Sequence, residues 1–240
     1  MFEIHTMISL SDTSVIYEDN HLLVINKPAD WVTQGADESQ SSLLQAAKNY
    51  LKTKYNKPGN VYLGVVSRLD KLVTGAIVFA RTSKAAARLN NQFRLRQVHK
   101  TYEALVPVHP DIELPAQLQL IDFVKKNDAR HRMEICAEQD LNAKQAILSL
   151  TVIQQDDNLR HLQVKLETGR KHQIRVQLAN IDCPIAGDSK YGSHLTFSSG
   201  IALHSTTLAF EHPVQHQWLE FQAPHPPSWE PWLTSNRITR

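Results

Sequence analysis

The chain has 240 residues, 42% hydrophobic and 21% charged, with a formal net charge of +2. This is the composition of a globular chain able to bury a sizeable core, and no apolar stretch nears the ~20 residues that span a bilayer. The N-terminus lacks the basic start and apolar centre of a signal peptide, and two cysteines, Cys136 and Cys183, argue for reduced thiols in a cytoplasm rather than a disulfide framework.

Residues 1–14 are polar and aperiodic, which predicts a loose terminus. Leu22-Leu23-Val24-Ile25 predicts a strand that stops at Lys27-Pro28, because proline cannot continue a ladder. Residues 41–55 have helical spacing, with Leu44, Ala47, Leu51 and Tyr55 on one face and Ser41 or Ser42 as cap. Lys57-Pro58-Gly59-Asn60 closes that helix. Thr74-Gly75 reads as a turn and Ala76 to Ala80 as a buried strand. Ser83 is the expected cap of a second helix, with Ala86, Leu89 and Phe93 inward and Lys84, Arg88 and Arg94 outward. Tyr102 to Val106 predicts a strand, and residues 107–142 read as irregular.

Ala146 to Ile153 is apolar and strand-like, and Leu162, Val164 and Leu166 alternate with polar residues as in a half-exposed strand. After a turn at Thr168-Gly169, the spacing of Ile174, Leu178 and Ile181 predicts a helix ending near Asp182. Ile174, Val176 and Leu178 would also suit a strand. Leu203, Thr207 to Phe210 and Trp218 to Phe221 add short strands. Many strands, few helices and no regular βαβ alternation predict an α+β domain around a mixed, mostly antiparallel sheet with flanking helices. Two lobes meeting near residues 107–145 are the alternative.

Charge is distributed in blocks. Arg88, Arg94, Arg96, His99 and Lys100 form one, Lys125, Lys126, Arg130, His131 and Arg132 a second, and Lys165, Arg170, Lys171, His172 and Arg175 a third. Basic blocks on a near-neutral chain suit one polyanion-binding face, or else solvated surfaces with acids nearby in space. No CxxC or HExxH spacing occurs among the twelve histidines, so no dedicated metal site is expected.

Asp70, in Ser67-Arg68-Leu69-Asp70-Lys71, stands between two cations just before a buried strand. Such a carboxylate favours its charged form and can act as a nucleophile, or it can cap a turn. Glu167-Thr168-Gly169-Arg170-Lys171-His172-Gln173-Ile174-Arg175 follows a turn glycine with side chains suited to phosphate, and Gln173 can meet base edges. If a helix starts near Lys171, Lys171 and Arg175 share a face and Arg175 can turn inward to an acid. Tyr102 can stack on a base, carry a proton, or simply pack. In Cys183 to Gly192, Asp188 reads as a turn-former.

In their order and spacing these segments resemble the RluA-type pseudouridine synthases. The resemblance rests on Asn26-Lys27-Pro28, on Arg68 to Ala80, on Lys100 to Val106, on Thr168 to Arg175, on Pro184 to Gly192 and on Leu203-His204, and covers about residues 15–225. It implies isomerisation of uridine in rRNA or tRNA to its C-glycoside, in a central RNA-binding cleft and without an external cofactor. Asp70 is then the nucleophile, Arg175 its basic partner, Tyr102 the ring on the uracil and Leu203 the apolar floor. Arg68 helps the nucleotide out of its stack, an act the buried glycosidic bond requires, and Arg170, Lys171, His172 and Gln173 contact RNA. Ser67 and Lys71 depart from the family's His-Arg-Leu-Asp-Arg, which touches substrate contacts and leaves Arg-Leu-Asp intact. The expected organisation is a flexible segment 1–14, a catalytic domain 15–230 and a tail 231–240. About 14 residues before the first strand leave no room for the small N-terminal S4-like RNA-binding domain of many relatives. A monomeric cytoplasmic enzyme is expected, away from membranes; the alternative is a catalytically silent RNA-binding or RNA-folding module.

Overall fold

The computed structural model describes residues 10, 14–35 and 42–234. Most of the expected loose terminus lies outside them, but Leu10 is buried in the core. The first half contains β1 (Val15–Glu18), β2 (Leu22–Lys27), α1 (Leu43–Lys54), β3 (Gly64–Val65), β4 (Thr74–Ala80) and α2 (Ser83–Arg94). Then come β5 (His99–Pro107), β6 (Gln117–Asn127), β7 (Arg132–Cys136), β8 (Lys144–Gln155) and β9 (Leu159–Leu166). α3 (Gln173–Asn180), β10 (Leu203–Glu211), β11 (Trp218–Gln222) and α4 (Glu230–Thr234) complete the described chain.

One mixed sheet runs in the order β1-β2-β4-β10-β5-β9-β8-β6-β7, with β11 on β10 and β3 on β4. Among the described residues only β4 and β10 pair in parallel, so the α+β architecture with a mostly antiparallel sheet holds. The unbroken run Leu22 to Ile25 has a simple cause. Alternate strand residues face opposite sides, and a helix covers each side. Leu22 and Val24 pack with Ala85, Ala86 and Leu89 of α2, while Leu23 and Ile25 pack with Leu43, Ala47 and Leu51 of α1.

The caps account for the helix starts. Ser42 Oγ accepts from the Gln45 amide at 3.3 Å, and Thr82, rather than Ser83, accepts from the Ala85 amide at 3.2 Å, satisfying donors that a helix start leaves free. The buried face of α1 is Leu43, Ala46, Ala47 and Leu51; Tyr55 follows as C-cap and is exposed. Residues 107–142, expected to be irregular, contain the hairpin of β6 and β7. Its strands alternate weakly because both flank solvent, with only Leu120, Val124 and Met133 buried. The hairpin extends the same sheet through β8, so no break separates two lobes at 107–145. In the expected tail, Trp232 and Leu233 of α4 pack on the core, and residues 235–240 lie outside the described chain.

Thr74 and Gly75 open β4 rather than forming a turn before it. Gly75 has φ +111°, and a Cβ there would lie 2.3 Å from the Ser205 carbonyl oxygen. Only glycine lets β4 approach β10 so closely at the mouth of the loop that carries Asp70.

Candidate active site

The loop between β3 and β4 is pinned from three sides. Thr33 Oγ1 donates to the Leu69 carbonyl at 2.9 Å and accepts from its amide at 3.2 Å. The Ile201 amide donates to the Leu72 carbonyl at 3.2 Å. Lys27 Nζ donates to the carbonyls of Pro28 at 2.8 Å and Lys71 at 3.0 Å. Lys27 is fully buried, and burial pulls its amine down to about 7, with Asp70 and Asp30 pulling the other way. Within the loop, the Val73 amide donates to the Asp70 carbonyl at 3.1 Å. Lys27 and Thr33 are positioning residues that sequence reasoning passed over. The only signal was a lysine at the end of an otherwise apolar strand.

Asp70 does not take its charge partners from its neighbours in sequence. Arg68 and Lys71 are exposed and, among the described residues, neither pairs with it. Arg175 Nη1 donates to Asp70 Oδ2 at 3.1 Å, and His172 Nε2 lies 3.6 Å from the same oxygen. Arg175 is in turn held by Asp188, the expected turn-former. Nε donates to Asp188 Oδ2 at 2.7 Å and Nη2 to Oδ1 at 2.8 Å, a two-pronged pair that fixes the guanidinium plane. Burial would pull the Arg175 guanidinium down, but Asp188 and then Asp70 hold it above its ordinary value. The Asp188 side chain is 1% exposed and that of Asp70 26%. One end of the chain of charges is therefore sealed and the other opens on the cleft.

α3 begins at Gln173, after Lys171, so Lys171 stays on the rim while Arg175 turns inward. His172 sits at the N-cap with φ 52°, a left-handed conformation that costs a non-glycine residue on the order of 1 kcal/mol. The turn aims the ring. The Tyr191 hydroxyl accepts from the Met133 amide at 3.0 Å and shares a hydrogen bond with His172 Nδ1 at 2.9 Å, which turns Nε2 towards Asp70. Burial pulls this imidazole down to about 4, against the pull of Asp70, so it is neutral at pH 7.

Gln173 also lines the cleft, and its amide is held by the scaffold. Its amide oxygen accepts from Thr168 Oγ1 at 2.8 Å and the Arg170 amide at 2.9 Å, and its nitrogen donates to the Ile147 carbonyl at 3.1 Å. Tyr102 and Leu203, from β5 and β10, are both buried and both line the cleft. Burial pushes the Tyr102 hydroxyl up to about 12; contact with Ser205 pulls it down and Asp70 adds to the rise. It keeps its proton at neutral pH.

These groups surround a cavity of about 740 Å³, the size of a site for a nucleotide-sized ligand. Among the described residues Asp70 is the only carboxylate in its lining, against the cations Arg68, Lys71, Arg170, Lys171, Arg175 and Lys190. Asp70, Tyr102, Arg175, Leu203, Arg68, Arg170, Lys171 and His172 thus share one cavity. Among the described residues no cluster of His, Cys, Asp and Glu could hold a metal ion, and no helix is long and apolar enough to cross a membrane.

The family model for RNA pseudouridylate synthase matches residues 21–180. The chain is 34% identical over 229 residues to the ribosomal large subunit pseudouridine synthase D of Vibrio cholerae, covering 89% of this chain and 67% of that protein. It is 31% identical over 220 residues to the RNA pseudouridine synthase YlyB of Bacillus subtilis, covering 90% and 70%. Its fold matches human RNA pseudouridylate synthase domain containing 4 with a TM-score of 0.73, at 22% identity, over 91% of this chain and 92% of that one. The chain belongs to the RluA-type RNA pseudouridine synthases.

Proposed function

We propose that this enzyme converts uridines in structured RNA to pseudouridine with Asp70 as the attacking carboxylate. The observation that carries the reading is that Asp70 is, among the described residues, the one acid in a basic cavity, oriented by a buried Arg175–Asp188 pair yet open on one side. Asp70 bonds to the flipped nucleoside at C1′ or C6, the C1′–N1 bond breaks, the uracil turns and a C1′–C5 bond forms, C5 gives a proton to solvent while N1 takes one up, and the bond to Asp70 breaks to return the carboxylate. Arg175 holds the carboxylate in line, and the protonated Tyr102 and the apolar Leu203 face the uracil. The cations on the rim take the phosphates and offset the few kcal/mol that unstacking costs. Relatives named for the large ribosomal subunit make its rRNA the first substrate to test and tRNA the second. The reading places a monomer in the cytoplasm, where the free thiols of Cys136 and Cys183 stay reduced.

The test is tritium release from RNA labelled at uridine C5, with rRNA and tRNA from cells lacking this gene. Wild-type protein is expected to release tritium, and silence on both substrates would sink the proposal. Asp70→Asn is expected to lower release at least about a thousandfold, the scale on which loss of a nucleophile acts, with RNA binding kept.

A further inference from the structure

A second cavity, about 540 Å³, adjoins the first. The two share a wall made by Arg68, Leu69, Tyr102, Leu166, Gly169 and Arg170. Beyond it the second cavity is lined by Arg94 and Arg96 at the end of α2, by Lys100 of β5, and by the apolar side chains of Phe93, Val98 and Leu208. Among the described residues its only carboxylate is that of Glu167, whose Oε1 accepts from Gln119 at 3.0 Å.

Two residues there are poorly explained by the fold alone. Lys100 is half-buried and burial pulls its amine down. Among the described residues its Nζ makes no hydrogen bond or ion pair; it lies beside Gly169 and 5.9 Å from the centre of the Phe93 ring. An amine drawn partly out of water without a counter-charge is unfavourable until an anion arrives. Arg96 follows the helix with φ 59°, where glycine or asparagine would sit without strain. The fold therefore carries a strained cation on the rim of a cavity that already holds an unpaired one.

We infer that the second cavity is a subsite for the nucleotide adjoining the target uridine, with its base on Phe93, Val98 and Leu208 and its phosphodiester on Lys100 and Arg96. The inference rests on the reading of the first cavity as the uridine site. Apolar side chains beneath a cationic rim are the pairing that single-stranded RNA requires, since each base has a face to bury and each linkage a charge to neutralise. Tyr102 stands in the shared wall, so two consecutive nucleotides splayed to either side of it would fill both cavities.

The probe is fluorescein-labelled pentauridylate, followed by anisotropy over a salt series. Lys100→Met is expected to weaken binding about tenfold and to flatten the salt slope by ~0.7, the value of one single-strand phosphate contact. Arg96→Gly is the control for folding. Removing a left-handed arginine should leave the melting temperature equal or higher while binding falls about threefold. Wild-type-like affinity and slope in both variants would overturn the subsite, as would full displacement of the probe by an equal concentration of inorganic phosphate, which would mark a free-anion site. The binding series does not depend on isomerisation. If wild-type protein releases no tritium but both variants lose affinity, the subsite stands and the proposed reaction falls. If tritium is released and affinity is unmoved, the reverse holds.

Discussion

Two carboxylates, Asp70 on the loop before β4 and Glu103 on β5, lie in contrasting surroundings, one open on the cleft and one enclosed. Residues 102 and 103 point to opposite faces of the strand. On the cleft side, Tyr102 lies with Leu203 near Asp70. On the other side, Glu103 Oε2 accepts from His161 Nε2 at 2.7 Å and from His225 Nε2 at 3.0 Å. Burial pushes the Glu103 carboxyl up, but the two histidine hydrogen bonds outweigh it and hold the carboxyl well below the usual range. Both acids have two nitrogen neighbours. Glu103 is enclosed by them, with His204 and the fully buried Trp229 packed on His225. Asp70 likewise has both nitrogens on one oxygen, Oδ2, but its side chain is 26% exposed against 14% for Glu103 and opens on the cleft. An enclosed acid ties strands together, whereas one fit to react must be oriented and left open on one side.

The sharpest way to break this contrast is to remove each acid in turn. Asp70→Asn should cost at least about a thousandfold in tritium release and leave the melting temperature nearly unchanged. A large loss of stability would place Asp70 with Glu103 as a structural group. Asp188→Asn comes next. It strands the buried Arg175 charge, which costs about 3–5 kcal/mol, and it should also depress turnover, because Arg175 loses the pair that sets its plane. Denaturant unfolding and tritium release measured on the same sample separate the two losses.

Acid stability probes the rear face. His204 Nε2 donates to the Ala223 carbonyl at 3.1 Å, and Nδ1 accepts from Thr74 Oγ1 at 2.7 Å, an arrangement only the neutral ring can make. Burial pulls its imidazole down to about 4. The unfolded chain then takes up a proton first, so stability is full above about pH 6.5 and falls between 6.5 and 4. A shift of that size corresponds to about 3 kcal/mol. His204→Gln should flatten that window in unfolding curves taken from pH 7 to 4, and an unchanged acid limb would refute the assignment. Smallest in effect is Glu103→Gln, expected to cost about 1–3 kcal/mol through the weakened bonds to His161 and His225. Glu103 is held below its unfolded value, so its contribution is present above about pH 4.5 and lost below it. The variant should lack that loss while keeping tritium release.

The legible parts of the sequence were those where residue type and spacing act together. The Ser42 cap of α1, the unbroken apolar run at β2, the apolar run of β4 and the period of α3 reported their structure because helix or strand geometry fixes which face is buried, whereas the cap of α2 fell one residue earlier than expected, at Thr82. Of the site expected from sequence, Asp70, Arg175, Tyr102 and Leu203 fall into one cavity. The site was illegible where the partner is distant in sequence. Lys71 and Arg68 look like the companions of Asp70, yet the companion is 105 residues away. Asp188 looks like one more turn residue because nothing local marks an aspartate as destined for burial. Gln173 looks like a base reader, but its amide is committed to Thr168, Arg170 and Ile147.

The hairpin of β6 and β7 shows a further kind of silence. Its link to the cleft runs from the main-chain amide of Met133 to Tyr191, and from Tyr191 to His172 beside Asp70. Every amino acid but proline supplies that amide. The buried Met133 side chain packs with Tyr191 and Arg132 lies over its ring, yet a one-residue slip in strand pairing would turn all of this away and release the histidine. The alignment of this edge therefore steadies His172, and the amide at the centre of that tie leaves no letter in the chain by which to find it.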